Sequence, residues 1–150
     1  MAESPANLDF DRAVRESFSK QEAMRTLGAS LRLVEPGRVE IQLPYREDLT
    51  QQHGFLHAGV VTAIMDSSCG YAAFSLMPPG AGVLSVEFKV NLLAPAKGEM
   101  LLARGRVMRA GRTLTVCQAD GFMLVEGQET PVATMLATIM TVTARPDVVG

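Results

Sequence analysis

The sequence predicts an α+β domain in which one long apolar helix lies against an antiparallel β-sheet. An apolar segment from Phe55 to Met77 contains a single charged residue, and four extended runs with short separators follow it. Strands joined by such short turns pair as antiparallel hairpins. The length of 150 residues suits one domain with a buried core.

Composition narrows the possible partners and location. A hydrophobic content of 47% with 20% charged residues is typical of a folded protein. The net charge of -2 leaves no basic surface for a phosphate backbone, so no nucleic-acid partner is expected. The N-terminal residues are acidic and lack the apolar core of a secretory signal, which predicts a cytoplasmic location.

The first half of the chain predicts two helices and a hairpin. Phe10–Leu27 is amphipathic with helical spacing, which predicts an N-terminal helix. Ala29–Leu43 alternates around Glu35-Pro36-Gly37, where proline and glycine favour a hairpin turn. The central helix predicted over Phe55–Met77 ends at Pro78-Pro79-Gly80, because proline cannot continue a helix.

The second half predicts four strands. Polar residues alternate with five apolar ones, the period of a strand with one buried face; the apolar residues are Leu84, Val86, Phe88, Val90 and Leu92. Three more extended runs lie at Met100–Arg109, Thr113–Glu126 and Pro131–Thr143. The turns between them are expected at 110–112 and 127–129.

The central helix is so apolar that it must be covered nearly all round. One flat sheet covers one side, so the sheet must curl around the helix or leave a face for another subunit. A membrane span is the competing interpretation, because the segment is long enough to cross a bilayer. An aspartate, several hydroxyl groups and glycines interrupt it, so no membrane contact is expected.

Asp66 is the charged residue in that helix, and the sequence between Arg46 and Lys89 contains no lysine or arginine. A carboxylate buried there needs hydrogen bonds, a raised pKa or a neighbouring cavity, as a catalytic base or nucleophile does. The alternative is a structural carboxylate paired with a distant arginine such as Arg104 or Arg106. Both interpretations stay open on these grounds.

Small residues stand at the expected helix start, where Ala58 and Gly59 would present unpaired N–H groups. Such a terminus can polarise a carbonyl, although small residues at a helix start more often mean close packing. His57 is expected to bond the backbone. Cys69 and Cys117 lack the spacing of a metal or redox motif and are expected to be buried, reduced thiols.

The combined pattern resembles the hotdog-fold thioesterases, in particular the PaaI-like family of phenylacetic acid degradation. The matching segments are Gln51, the run from His57 to Asp66, the strand ending in 94–98, and the turn at 111–113. The resemblance implies a hotdog fold, in which a curved antiparallel sheet of about five to six strands wraps a long central helix, with a helix N-terminal to it. The implied organisation is an N-terminal arm and helix over 1–27, the hotdog domain over 28–143 and a tail over 144–150.

The family resemblance implies a role for each site residue. The backbone N–H of Ala58, aided by Gly59, would polarise the thioester carbonyl, and alanine replaces the usual glycine there. Asp66, across a dimer interface from that donor, would act as general base or as nucleophile. The supporting residues would be Gln51 on the water or thioester, His57 in the loop, and Ser85 near the water or, alternatively, facing solvent.

The resemblance implies an acyl-CoA thioesterase acting on a fatty or aryl acyl group. Candidates for contacts with coenzyme A are Lys97, Asn91, Arg112 and Thr113, and the acyl chain is expected among Phe55, Leu56, Met65, Phe74 and Met77. No metal and no separate cofactor is expected, since coenzyme A belongs to the substrate. A homodimer is the expected minimum unit, and a homotetramer the expected assembly.

Two other functions fit the same fold. The chain could bind acyl-CoA without hydrolysing it, as an effector or storage module. A hydratase or dehydratase is the second alternative, but those enzymes carry an aspartate and a histidine on a loop before the helix, and this sequence lacks that arrangement.

Overall fold

A six-stranded antiparallel sheet wraps around one helix in the computed structural model, which describes residues 4–150. The helices are α1 (Phe10–Lys20), α2 (Glu22–Leu27) and α3 (Ala58–Phe74). The strands are β1 (Ser30–Glu35), β2 (Arg38–Pro44), β3 (Gly82–Leu92), β4 (Met100–Ala110), β5 (Leu114–Val125) and β6 (Gln128–Val142). Their order in the sheet is β1-β2-β4-β5-β6-β3. The predicted hotdog architecture is confirmed; residues 1–3 of the predicted N-terminal arm lie outside the described residues.

Helix α3 is shorter than the predicted Phe55–Met77. It begins after His57, whose Nδ1 accepts a hydrogen bond from the Gly59 N–H at 2.9 Å and so caps the helix. Leu56 is extended instead, and its N–H donates to the Ala96 carbonyl at 2.8 Å. At the other end Ser75 Oγ donates to the Ala72 carbonyl and accepts from the Gly37 N–H, which ties the helix end to the β1–β2 turn.

The prediction of a single N-terminal helix over Phe10–Leu27 is wrong, because the helix is interrupted at Gln21. Gln21 has an extended backbone, with φ -80° and ψ 96°, and its side chain accepts a hydrogen bond from Ser67 Oγ at 3.1 Å. Val14 of α1 and Met24 of α2 are fully buried. The helical pair therefore covers part of α3 that the curled sheet leaves open.

The core lies between α3 and the concave face of the sheet. Alternate residues of β5 are buried there, as period two requires: Thr115, Cys117, Ala119, Gly121 and Met123. Helix and sheet approach each other closely at Gly105, where a Cβ atom would stand 2.3 Å from the Ser68 carbonyl oxygen. Only glycine fits that approach. The prediction of two buried thiols is confirmed, and Cys117 Sγ donates to the Cys69 carbonyl at 3.5 Å.

The predicted strand at 84–92 exists, but the expectation that its apolar face is buried is wrong. β3 is an edge strand, and its apolar side chains are largely exposed: Leu84 43%, Val86 53%, Phe88 43% and Leu92 54%. A β-bulge between Ser85 and Glu87 also shifts the pairing with β6. Because a bulge inserts one residue, alternation cannot continue through it.

The last turn is also displaced from its expected position at 127–129. It consists of Glu126 and Gly127, both with positive φ, of 50° and 77°. Positive φ at both central residues is typical of the type I′ turn, a two-residue hairpin turn whose backbone twist matches that of the flanking strands. Within residues 4–150, no helix has the length and apolarity that crossing a membrane would require.

Candidate active site

The predicted site residues gather at two places along α3, the start of the helix and its middle. Gln51, His57, Ala58, Gly59 and Lys97 belong to the first place. Asp66 and Ser85 form the second.

At the start of α3 one backbone donor is left without a partner. His57 takes the Gly59 N–H, and the N–H groups of Val60 and Val61 donate to the His57 carbonyl. In the described part of the chain, nothing accepts a hydrogen bond from the Ala58 N–H. Ala58 has helical backbone with negative φ, so its N–H points outward at the positive end of the helix dipole.

A tight loop precedes the helix and holds Gln51 beside it. The Gln51 N–H donates to the Phe55 carbonyl at 2.9 Å, and Tyr45 Oη donates to the Gly54 carbonyl at 2.7 Å. The Gln51 side-chain oxygen accepts from the His53 N–H. Lys97 lies next to this loop, with Nζ 3.8 Å from where a Cβ atom of Gly54 would be. Its charge therefore lies beside the loop that leads into α3.

A cavity of about 360 Å³ opens directly beside Ala58. Its walls are mostly apolar, and Gln51 is the one lining residue with a polar side chain. The other lining residues are Phe55, Leu56, Val61, Leu92, Leu93, Ala94, Pro95, Ala96 and Val132. The cavity thus offers an apolar surface next to the outward-pointing Ala58 N–H. A carbonyl compound with an apolar substituent would fit such a surface.

Asp66 is half-buried in the middle of α3, and Ser85 Oγ donates to its Oδ1 at 2.7 Å. The bulge at Val86 makes this contact possible, because Ser85 pairs with the core residue Ile139 and so turns toward the helix. Nothing within residues 4–150 donates a hydrogen bond to Oδ2. Ser85 is nevertheless exposed, so it contacts Asp66 and solvent at the same time, and its role near a water stays a prediction.

The alternative that Asp66 pairs with a structural arginine is wrong. Arg104 makes two hydrogen bonds to Glu129, at 2.7 and 2.6 Å, and lies 3.2 Å from Glu40. Arg106 Nη1 contacts Met108 Sδ. Both arginines lie on the convex face of the sheet, on the side away from α3.

Ala58 and Asp66 cannot act on one carbonyl within a single chain. They are eight positions apart on α3, and a rise of 1.5 Å per residue separates them by about 12 Å along the axis. A reacting carbonyl must lie about 3 Å from both the base and the oxyanion donor. Within one chain, the Ala58 N–H and the Asp66 carboxylate are therefore too far apart to contact the same carbonyl group.

Three other candidates for contacts with coenzyme A do not line the pocket beside Ala58. Arg112 and Thr113 form the β4–β5 turn and line a cavity of about 620 Å³ at the C-terminal end of α3. Asn91 lies on the convex face, where Lys89 Nζ donates to its Oδ1 at 2.7 Å. Their roles stay predictions.

The residues expected to hold the acyl chain do not form one tunnel. Phe55 and Leu56 line the pocket beside Ala58, and Met77 lines the distant cavity. Met65 and Phe74 are buried in the core. The sequence did not predict the other wall of the pocket beside Ala58, which consists of Leu92–Ala96 and Val132. The apolar pair Leu92-Leu93 shortly before a proline, which is exposed in the structure, was the signal that could have indicated it.

Cys69 is no nucleophile, because it is fully buried and burial raises the pKa of its thiol far above the usual range. Within the described ranges, no group of three or more histidine, cysteine, aspartate or glutamate side chains is placed to hold a metal ion.

Comparison with known proteins gives consistent matches. The profile of the thioesterase superfamily matches residues 53–126. A solved structure of a thioesterase family protein from Silicibacter pomeroyi is 52% identical, with a TM-score of 0.89, over 90% of this chain and 99% of that one. Acyl-coenzyme A thioesterase 13 of Homo sapiens is 28% identical over 63% of this chain and 72% of the human protein. The E. coli PaaI protein, at 16% identity and a TM-score of 0.81 over 91% and 96% of the two chains, shares the fold.

Proposed function

This chain belongs to the thioesterase superfamily, and from that premise we propose that it hydrolyses acyl-CoA thioesters to a free acid and coenzyme A. Asp66 carries the proposal, as a carboxylate held by one hydrogen bond in a helix without a neighbouring cation. One oxygen of that group is oriented by Ser85, and the other is left for chemistry.

The Ala58 N–H is the proposed oxyanion donor. It would bond the thioester oxygen and stabilise the negative charge that develops there as the carbonyl carbon becomes tetrahedral. Gly59 is a weaker candidate, because its N–H already donates to His57. Gln51, which shares a pocket with Ala58, would orient the thioester or the water.

Asp66 Oδ2 has two possible roles. As general base it takes a proton from water, the hydroxide adds to the carbonyl carbon, and the C–S bond breaks as the thiolate receives the proton from Asp66. As nucleophile it attacks the carbon itself, expels the thiolate and forms a mixed anhydride that water then cleaves. A single turnover in H₂¹⁸O tests the nucleophilic route, because label in the Asp66 carboxylate can arise only from an anhydride that water cleaves at the Asp66 carbonyl carbon.

The proposed active unit is a homodimer with two equivalent sites, each combining Asp66 of one chain with Ala58 of the other. The separation of about 12 Å within one helix supports this arrangement. A homotetramer built from two such dimers is the proposed assembly.

The proposed substrate carries a fatty or aryl acyl group. The pocket beside Ala58 is apolar apart from Gln51, so a charged or strongly polar acyl group would lose hydration there without gaining partners. The phosphates of coenzyme A would lie outside, near Lys97 or the Arg112-Thr113 turn.

Replacing Asp66 by asparagine tests the function. We expect Asp66→Asn to lower kcat by about 10²–10⁴-fold, the usual contribution of a positioned acid–base group. Release of free thiol from a panel of acyl-CoAs measures it. Asp120→Asn is the matched control, because Asp120 is also half-buried but lies on the convex face, where Thr134 Oγ1 donates to it at 2.8 Å.

Two results would count against the proposal. If Asp66→Asn hydrolysed acyl-CoA at the rate of the Asp120→Asn control, Asp66 would not be a catalytic residue. A wild-type protein that binds acyl-CoA in calorimetry but releases no thiol from any of the panel would identify a binding module instead.

A further inference from the structure

The residues from Gln51 to Phe55 form a small closed loop before α3. The Gln51 N–H donates to the Phe55 carbonyl at 2.9 Å, and the Gly54 N–H donates to the Gln51 carbonyl at 3.1 Å. Gly54 closes the turn with a φ of 81°, a conformation that glycine adopts readily. Gln51 and Phe55, at the two ends of the loop, both line the pocket beside Ala58. The position of this loop therefore decides where the polar side chain of that pocket lies.

A single hydrogen bond, from the Tyr45 side chain, joins this loop to the rest of the fold. Tyr45 Oη donates to the Gly54 carbonyl at 2.7 Å, the usual length for a hydroxyl donor. Within residues 4–150, no other hydrogen bond links residues 51–55 to a residue outside that range. Without the hydroxyl of Tyr45, the loop would be held at its two ends only.

Tyr45 is itself fixed firmly in the fold. It follows directly after β2, and its N–H donates to the Glu99 carbonyl at 3.0 Å, just before β4 begins. Its ring packs against the hydrophobic core. The hydroxyl is thus held by two strands of the sheet, and it transmits their position to the loop.

The Gln51 side chain moves with the loop as one unit. Its oxygen accepts a hydrogen bond from the His53 N–H, so the amide is bonded to the loop's own backbone. In the described part of the chain, the side-chain nitrogen of Gln51 donates to nothing. That nitrogen is left to donate to a group in the pocket, and any displacement of the loop displaces it.

We propose that Tyr45 is a positioning residue, whose hydroxyl holds the loop 51–55 and thereby sets the Gln51 amide against the reacting thioester. This rests on the proposed function, in which Gln51 orients the thioester or the water. Tyr45 does not line the pocket beside Ala58, so it acts through the loop and not on the substrate. Displacing an orienting group by even 1 Å can slow a reaction by about 10²-fold.

Tyr45→Phe tests the restraint, because phenylalanine keeps the ring and removes only the hydroxyl. We expect the amide hydrogens of Gln51 and Gly54 to exchange about tenfold faster, the effect of losing one hydrogen bond on a local opening equilibrium. Exchange in β4 and β5 should stay at the wild-type rate. Hydrogen–deuterium exchange followed by NMR measures both regions, and unchanged exchange in the loop would overturn the proposal.

Tyr71→Phe is the matched control, because Tyr71 is the second of the two tyrosines in the chain. It lies on α3, where its hydroxyl is 3.4 Å from Ser17 Oγ. This variant should keep the exchange of the loop and the rate of thiol release at wild-type values. Equally fast loop exchange in the two phenylalanine variants would contradict a specific role for Tyr45.

A double-mutant cycle tests whether Tyr45 acts through Gln51. In the wild-type background, Tyr45→Phe should lower kcat for thiol release about tenfold. In a Gln51→Ala background, the same substitution should lower kcat less than twofold, because the group that it misplaces is already absent. A purely structural effect would be equal in the two backgrounds, and that result would overturn the role of Tyr45 in positioning.

Failure of the proposed function would give a different result. If Asp66→Asn hydrolysed acyl-CoA as fast as the wild type, the chemistry assigned to Asp66 would be wrong. Faster loop exchange in Tyr45→Phe and the non-additivity with Gln51→Ala would then still support the positioning role. A wild-type protein that released no thiol from any acyl-CoA would overturn both proposals together.

Discussion

Ala58 is the residue on which the oxyanion assignment depends, and its position allows a clean test. It is the first residue of α3, where proline is tolerated because the N–H has no partner within the helix. His57 before it has ψ 138°, the extended conformation that a following proline favours. Ala58→Pro therefore deletes the proposed donor while keeping the helix.

We expect Ala58→Pro to lower kcat by about 10²–10³-fold, the cost of removing one oxyanion donor. The melting temperature should change little. Ala58→Gly, which keeps the N–H, is the matched control and should remain active. If the two variants had the same kcat, the Ala58 N–H would not be the oxyanion donor.

The sequence was sufficient to place Asp66 within the central helix and Ala58 at its start, but not to predict the contact between Ser85 and Asp66. Residue type and spacing identify a lone carboxylate and a helix start, and both are where they were predicted. Ser85 was ambiguous because period two assigns it to the polar face, and a bulge one residue later reverses that face. The apolar pocket wall at Leu92–Ala96 comes from tertiary contact with the helix start, which local patterns do not encode.

At the scale of elements, predictions succeeded where a local signal exists. The β1–β2 hairpin follows from Pro36 and Gly37, and the end of α3 from the prolines after it. They failed where the decisive contact is distant in sequence. Gln21 interrupts the N-terminal helix, and its side chain accepts a hydrogen bond from Ser67 on α3. Leu56 was predicted to be helical, but it lies before α3 and its N–H donates to the Ala96 carbonyl.

The convex face of the sheet holds a charged network across β2, β4 and the start of β6. Glu40 is only 6% exposed and accepts a hydrogen bond from Arg38 Nη2 at 2.7 Å, with Arg104 Nε 3.2 Å away. Arg104 in turn bonds Glu129 and lies 4.8 Å from the centre of the Phe122 ring. Glu40 thus links the arginines of neighbouring strands.

We expect Glu40→Gln to lower the free energy of unfolding by about 1–3 kcal/mol, since two arginines lose their buried anion. Urea unfolding followed by circular dichroism measures it. Glu22→Gln is the control, because the Glu22–Arg25 pair is mostly exposed and should shift stability by less than about 0.5 kcal/mol. Equal effects in the two variants would mean that the network contributes nothing.

At the scale of the whole molecule, the two-chain site predicts that two inactive variants rescue each other. Asp66→Asn and Ala58→Pro carry their defects in opposite halves of each site. A mixed dimer therefore contains one site with both defects and one intact site. With random exchange of subunits, about a quarter of the wild-type activity should return.

Thiol release after mixing the two proteins measures this recovery. Mixing Asp66→Asn with a double variant that carries both substitutions is the control, because every site then lacks the carboxylate. A mixture of the single variants that stays inactive after subunit exchange would place both groups within one chain.

The two edges of the sheet differ in how readily a further strand could add to them. β3, at one edge, exposes apolar side chains such as Val86. β1, at the other edge, is a strand of six residues that carries Arg32 and Glu35 exposed and is followed by Pro36, a poor template for addition. Copies that added head to tail without limit would need both edges, so the charged and short β1 edge protects the protein against growth into a fibre.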